Sequence, residues 1–417
     1  MRTTASWDPA YEWKAVGLLS LGFGLVGIDR FMIAPMFPTI MRDLGLDYQD
    51  LGNITAALSI AWGVSALFMG RLSDRAGRRG VVIGSLVDFS LLIGTSGLAV
   101  GVGNLILVRA LMGLADGAYT PTSITATIDA SKPTRHGLNI GLQQMMLPLF
   151  GLAAAPLVVT RLLEIMSWRW IFSLLTVPGL ILAIVMFRVL RNQERFDAVR
   201  HESAMAAWRE VIRHRNVPIL MIGMLCWLTC LITTSAMMPS YLIDHLGLMP
   251  QQMGNVMSAI GFGAAAGCLV LPALSDRIGR KPVMVMGTLG ACAAILALSR
   301  TGADVRLLFL FLFLTHFFNF ALLTMTVGPV SVESVAPAHM ATASGLVTAA
   351  GELFGGGLAP IIAGAVAQRY GIQHVLWLAV GGLCLGFVTM LFLKETAPRR
   401  RHGQSETGNV NAIEFRI

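Results

Sequence analysis

Six ionisable residues, Asp29, Arg30, Asp88, Arg109, Asp116 and Glu352, stand inside long apolar stretches of this 417-residue chain. A charge in such a stretch is costly, so it faces a partner or a cavity. A guanidinium can hold a carboxylate through two parallel hydrogen bonds, and a carboxyl beside a guanidinium can exchange a proton as that guanidinium comes and goes. Arg109 and Asp116 are seven residues apart, which places both on one helical face, about 10 Å apart along the axis. Arg30 is therefore expected to bind a small carboxylate, and Asp29 and Asp116 to carry protons, with Arg109 shifting between them. The alternative is a fixed Asp29–Arg109 ion pair that ties two helices together.

Other polar residues are spaced to face the same interior. Gln143 and Gln144, and His316 with Asn319 three residues on, are candidates for hydrogen bonds to a bound solute, or else for hydrogen bonds between helices. Glu352 aligns with Pro148 in an internal repeat described below, so it departs from a shared template. It is expected to bind solute or proton, or to make an interhelical hydrogen bond. Asp88 is expected to be structurally paired. Phe31, Trp227 and the Phe317-Phe318 pair are expected either to wall a cavity or to lie in core and lipid contacts.

The elements that must hold these residues are apolar helices. Hydrophobic residues make up 55% of the chain and charged residues 13%, with a mean hydropathy of +0.69, which is membrane-protein composition. A spanning helix needs about 20 apolar residues. Twelve such stretches are predicted, near 15–39, 51–71, 80–100, 104–127, 138–160, 169–190, 217–242, 252–273, 282–299, 306–332, 341–366 and 373–394. The N-terminal stretch is polar up to Lys14 and then runs on too long for a cleaved signal, so it is expected to remain as the first helix. With both termini on one side, 23 of the 31 Lys and Arg fall on that side, 6 on the other and 2 within spans. That bias predicts cytoplasmic termini and a plasma membrane location, in bacteria the inner membrane. It also argues against nucleic acid as the partner of the +8 net charge.

The chain repeats itself. Leu72-Ser73-Asp74-Arg75-Ala76-Gly77-Arg78-Arg79 returns as Leu274-Ser275-Asp276-Arg277-Ile278-Gly279-Arg280-Lys281. Gly141-Leu142, Leu149-Phe150-Gly151 and Ala155-Pro156 return 204 residues later as Gly345-Leu346, Leu353-Phe354-Gly355 and Ala359-Pro360. The organisation expected is an N-terminal six-helix bundle over 1–190, a cytoplasmic linker over 191–215, a C-terminal six-helix bundle over 216–395 and a cytoplasmic tail over 396–417. Two such halves can rock about a site at their interface. Five cysteines in apolar stretches have no ligand spacing, so neither a metal site nor a disulfide framework is expected. No phosphate-binding loop or dinucleotide fingerprint is present, and the chain reads as neither an enzyme nor a cofactor protein.

The stretch Gly70 to Arg79 resembles the signature loop between helices 2 and 3 of the major facilitator superfamily, and 274–281 its weaker second copy, with Pro272 where a glycine is usual. The resemblance covers 15–395 and implies an all-α integral membrane fold of twelve helices in two pseudo-symmetric six-helix bundles. In the family's account the loop is a cytoplasmic gate, here Gly70, Asp74, Arg75, Gly77 and Arg78 with Asp276, Arg277, Gly279 and Arg280. Ile28-Asp29-Arg30, Pro35, Pro38, Asp43-Leu44-Gly45-Leu46 and the Arg109, Gly113, Asp116, Pro121 series resemble the anion:cation symporters within it. Asp116 stands where that group commonly has glutamate. The resemblance implies proton-coupled uptake of a small organic anion, such as a sugar acid or an aromatic acid, by a monomer in the lipid bilayer. An exporter, a carrier of a neutral or zwitterionic solute, and a transporter-like membrane sensor remain the alternatives.

Overall fold

The computed structural model describes residues 8–132, 135–191, 204–336 and 339–397, with the side chains of 70–76, 204–207 and 341 left out of the description. Described residues fall almost wholly in helices. The first half comprises α1 (Pro9–Leu44), α2 (Tyr48–Ala76), α3 (Arg78–Ser96), α4 (Val102–Ala130), α5 (His136–Leu162) and α6 (Trp168–Val189). The second comprises α7 (Asn216–His245), α8 (Pro250–Ile278), α9 (Arg280–Ser299), α10 (Val305–Glu333), α11 (Thr342–Tyr370) and α12 (Ile372–Leu391). Eleven of these, among the described residues, are long and apolar enough to cross a membrane. The twelfth, α4, has the length, 29 residues, but carries Arg109, Asp116 and a run of hydroxyl side chains that lower its hydropathy. Most of these polar side chains turn inward against α1, α2 and α3. The expected linker contains a short amphipathic helix, Ala204–Arg213.

Small residues set the helix spacing. In the first half Gly113 and Gly117 of α4 lie on the Leu58 and Trp62 carbonyls of α2, where a Cβ would collide. In the second half the equivalent pair, α8 and α10, meets through Gly263 and Gly267 against the Phe313 and Phe317 carbonyls. The two glycines of each pair are four residues apart, the spacing that lets helix backbones touch. Gly263→Leu should part α8 from α10 at a cost of about 1–3 kcal/mol, read as a lower melting temperature of the detergent-purified protein.

Wide π-type turns interrupt α5 at Leu149–Ala154 and α11 at Gly351–Leu358. These helices correspond in the repeat, and such turns often sit at functional positions. In α1 the helix breaks at Met32, because Pro35 has no N–H to give the Phe31 carbonyl. Asp29 and Arg30 occupy the last turn before that break.

The two copies of the repeated loop each turn on a glycine with positive φ, 97° at Gly77 and 113° at Gly279, a region that disfavours side chains. Beyond Gly77, Arg78 pairs with Asp129 of α4. In the second copy Arg280 bonds Glu333 at 2.8 Å and Asp276 at 2.6 Å, and also Ser275. Arg277 makes no ion pair among the described residues; Gly70 lies within α2, and the side chains of Asp74 and Arg75 fall among those left out. In this conformation the described loop contacts therefore fasten helices within one half.

Glu395, just past α12, caps the start of α9: its carboxylate accepts from the backbone N–H groups of Arg280, Lys281, Thr396 and Ala397 at 2.8–3.1 Å. Partial burial opposes its ionisation, but those four donors outweigh burial and hold the carboxyl below its ordinary 4.5. A carboxyl with a lowered folded value stabilises above its unfolded value, and that contribution disappears as pH falls through the folded one. Glu395→Gln should cost about 1 kcal/mol at pH 7. The difference in melting temperature from wild type should shrink as pH drops below about 4.5.

Candidate functional site

The halves meet firmly at the end opposite the chain termini. There Tyr48 donates to Asp244 at 2.9 Å and Gln49 to the Ile361 carbonyl at 3.3 Å, Gln251 bonds Glu164, and Gly52 and Gly364 bring α2 onto α11. At the terminus end the ion pairs among the described residues of the helices stay inside one half, as in Glu12–Arg135 and Arg280–Glu333. Between these ends lies a cavity lined from the first half by Arg30, Phe31, Thr55, Leu58, Ser59 and Arg109, and from the second by Ile232, Ser235 and Ala236 of α7.

Arg30 dominates this cavity. Its guanidinium holds the Glu352 carboxylate in bidentate fashion, Nη1 to Oε1 at 3.0 Å and Nη2 to Oε2 at 2.7 Å. Nη2 also reaches Ser59 Oγ at 3.3 Å, and the group stacks 4.5 Å from the Trp62 ring and 5.6 Å from Phe31. Both charged side chains are nearly buried, 7% and 6% exposed. Because Arg30 is on α1 and Glu352 on the wide turn of α11, this pair bridges the halves. The fork geometry is the one a guanidinium offers to any carboxylate.

Behind Arg30 lies a second cluster. Arg109 Nη1 donates to the Asp29 backbone carbonyl at 2.6 Å, while the nearest Asp29 carboxylate oxygen stands 4.0 Å away. The fixed Asp29–Arg109 pair is thus a loose one. Asp29 and Asp116 are fully buried and lie close enough to share a hydrogen bond when one carries a proton. Neither carboxyl accepts a hydrogen bond from a donor among the described residues, and Arg109 Nε and Nη2 are likewise unpartnered. With all groups ionised, three carboxyls (Asp29, Asp116, Glu352) face two guanidiniums, so the cluster is one negative charge in excess. One proton makes it neutral.

The remaining candidates lie elsewhere. Gln143 is buried and donates to Ser123 Oγ at 2.9 Å, tying α5 to α4, and Gln144 is half-buried outside the cavity lining. His316 Nε2 meets Thr234 Oγ1 at 3.0 Å, and Asn319 donates to the Trp227 carbonyl at 3.1 Å. Both therefore join α10 to α7. Trp227 is buried on Thr326, and Phe317 and Phe318 pack edge to face on each other. Asp88 is exposed on α3 and has no ion pair among the described residues, contrary to the structural pairing expected of it. Ser59 and Trp62 were not foreseen. Ser59 lies against Gly356 of α11, and Trp62, three residues on, puts its ring against the Arg30 guanidinium.

Comparisons with known proteins agree with this architecture. The hexuronate transporter of Bacillus subtilis (strain 168) is 25% identical over 400 residues, covering 89% of this chain and 91% of that one. The 3-(3-hydroxy-phenyl)propionate transporter of Escherichia coli (strain K12) is 28% identical over 286 residues, 68% of this chain and 70% of its own. Among solved structures, a bacterial homolog of the human lysosomal transporter Spinster, in an inward-facing and unoccupied conformation, superposes with a TM-score of 0.72 at 17% identity, covering 93% of this chain and 95% of the other. The Major Facilitator Superfamily profile matches residues 19–273 and again 232–417, and the chain belongs to that superfamily of membrane transporters.

Proposed function

We propose that the protein takes up a small organic anion together with protons, by alternating access of a cavity between its two halves. The observation that carries this reading is the Arg30 guanidinium, nearly buried at the interface and already holding a carboxylate through two hydrogen bonds. An anionic solute presents the same group. The apolar and aromatic walls beside it, Phe31, Ile54, Leu58 and Trp62, suit a sugar acid or aromatic acid, in keeping with the solutes named for the two relatives. Asp29 and Asp116 carry the coupling proton and Arg109 moves between them. Gln143, Gln144, His316 and Asn319 act by positioning helices around the cavity.

The Lys and Arg bias puts both termini in the cytoplasm. The contacts that join the halves at the opposite end then close the outer side, and the repeated loops form the cytoplasmic gate. Proteoliposomes test the reading: an inside-alkaline pH gradient should drive accumulation of 3-(3-hydroxyphenyl)propionate or a hexuronate. Uptake that ignores the gradient would sink the symport.

A further inference from the structure

Glu352 has no counterpart in the first half, where Pro148 takes its place, yet it occupies the strongest anion-binding group in the cavity. We propose that Glu352 is a tethered competitor for Arg30, filling the anion position when no solute is bound and leaving it with one proton when a solute carboxylate arrives. The proposal rests on Arg30 being the anion site. Its geometry is independent of solute: both Glu352 oxygens are taken up by the two Arg30 terminal nitrogens, so a second carboxylate cannot enter the fork until Glu352 leaves.

Once displaced, Glu352 finds no spare cation, since the other guanidinium of the cavity lining, Arg109, already faces Asp29 and Asp116. Arg30 is the charged group that faces it from α1. Behind Arg30 stand Asp29, Arg109 and Asp116, whose charges on α1 and α4 are not in surplus of cation. The other helices packed on this stretch of α11 are α2 and α7. Over Gly223 to Leu231 and Thr55 to Gly63 they bring no charged side chain: the titratable groups are the Cys226 and Cys230 thiols, and the other polar ones are the Thr55, Ser59 and Thr229 hydroxyls and the Trp62 and Trp227 indole N–H groups. An ionised carboxylate does not stay in such surroundings unpaired, so it takes a proton from the water entering with the solute. Charge is conserved at the pair: Arg30 exchanges one carboxylate for another, and the released one is neutralised. Because Arg30 and Glu352 sit in different halves, the exchange also unties them, and the solute-free carrier stays tied.

The test is binding of 3-(3-hydroxyphenyl)propionate and of glucuronate to detergent-purified full-length protein by titration calorimetry, in two buffers of different ionisation enthalpy. Removing a competitor raises apparent affinity by the fraction of Arg30 it had occupied. Glu352→Gln should bind at least one probe about ten-fold or more tightly than wild type, and should take up one proton fewer per bound anion. Glu352→Asp, whose shorter arm cannot fill both nitrogens, should fall between. Each variant is checked for an unchanged gel-filtration profile. Equal or weaker binding by both variants, no binding of either probe by Glu352→Gln, or an unchanged proton count overturns the proposal. If Glu352→Gln binds more tightly while wild-type liposomes ignore the pH gradient, the competitor stands and the symport reading fails. If the gradient drives uptake and the affinities do not change, the reverse holds.

Discussion

Arg30→Ala should abolish carboxylate binding and uptake by the purified protein. The guanidinium makes both hydrogen bonds to the carboxylate it now holds, and truncating one partner of a buried hydrogen-bonded charge pair costs about 2–5 kcal/mol. That corresponds to a loss of about 30-fold to several thousand-fold in affinity. Charge alone does not replace it. Arg30→Lys keeps a cation but loses the planar fork and the stacking on Trp62, so affinity should recover only in part. Stability separates two meanings of a null result, because Arg30→Ala also leaves Glu352 buried and unpaired. Arg30→Ala/Glu352→Gln removes that strain. If the double variant melts like wild type and still binds no anion, Arg30 is the anion site; if it binds as wild type does, the site lies elsewhere.

The repeat made the two-bundle architecture readable from residues alone, since paired strings at one offset leave little choice of topology. Asp29, Arg30, Arg109, Asp116 and Glu352 were readable as costly intramembrane charges for the same reason: apolar surroundings single them out. Which of them pair was not readable. Arg30 and Glu352 are 322 residues apart, and their contact depends on how α1 and α11 approach, which is set by glycine contacts such as Gly63 against Glu352 and Leu353. Gln143, His316 and Asn319 show the converse. Their spacing suits a cavity wall equally well, and the direction in which helix rotation turns them, toward Ser123, Thr234 and the Trp227 carbonyl, is a packing outcome. The α4 helix tests the same boundary from another side. Its mean hydropathy falls below that of the other described spans, while the apolar stretch near 104–127 marks it as a span.

Asp116→Asn should remove the proton carried on the aspartate pair, leaving anion binding and counterflow exchange near wild type while gradient-driven accumulation falls about ten-fold per unit of pH difference. The argument starts from the excess of one negative charge in the five-group cluster. Asparagine removes that charge permanently and keeps the side-chain shape, so the cluster is neutral with no proton taken up. Arg30 and its fork are untouched, which preserves binding. In wild type, each proton moved with an anion lets one unit of pH difference support about a ten-fold accumulation, since one unit is worth about 1.4 kcal/mol. The variant keeps only the proton that Glu352 takes up on anion exchange, so its accumulation per unit of pH difference falls by that factor. Its exchange rate should also lose the pH dependence that the Asp29–Asp116 pair imparts. Asp29→Asn is the necessary companion, because the two carboxyls share one guanidinium and titrate as a pair rather than as separate sites. If Asp116→Asn still accumulates anion uphill and Asp29→Asn does not, the proton travels on Asp29. If both accumulate normally, coupling through the Asp29–Asp116 pair is refuted.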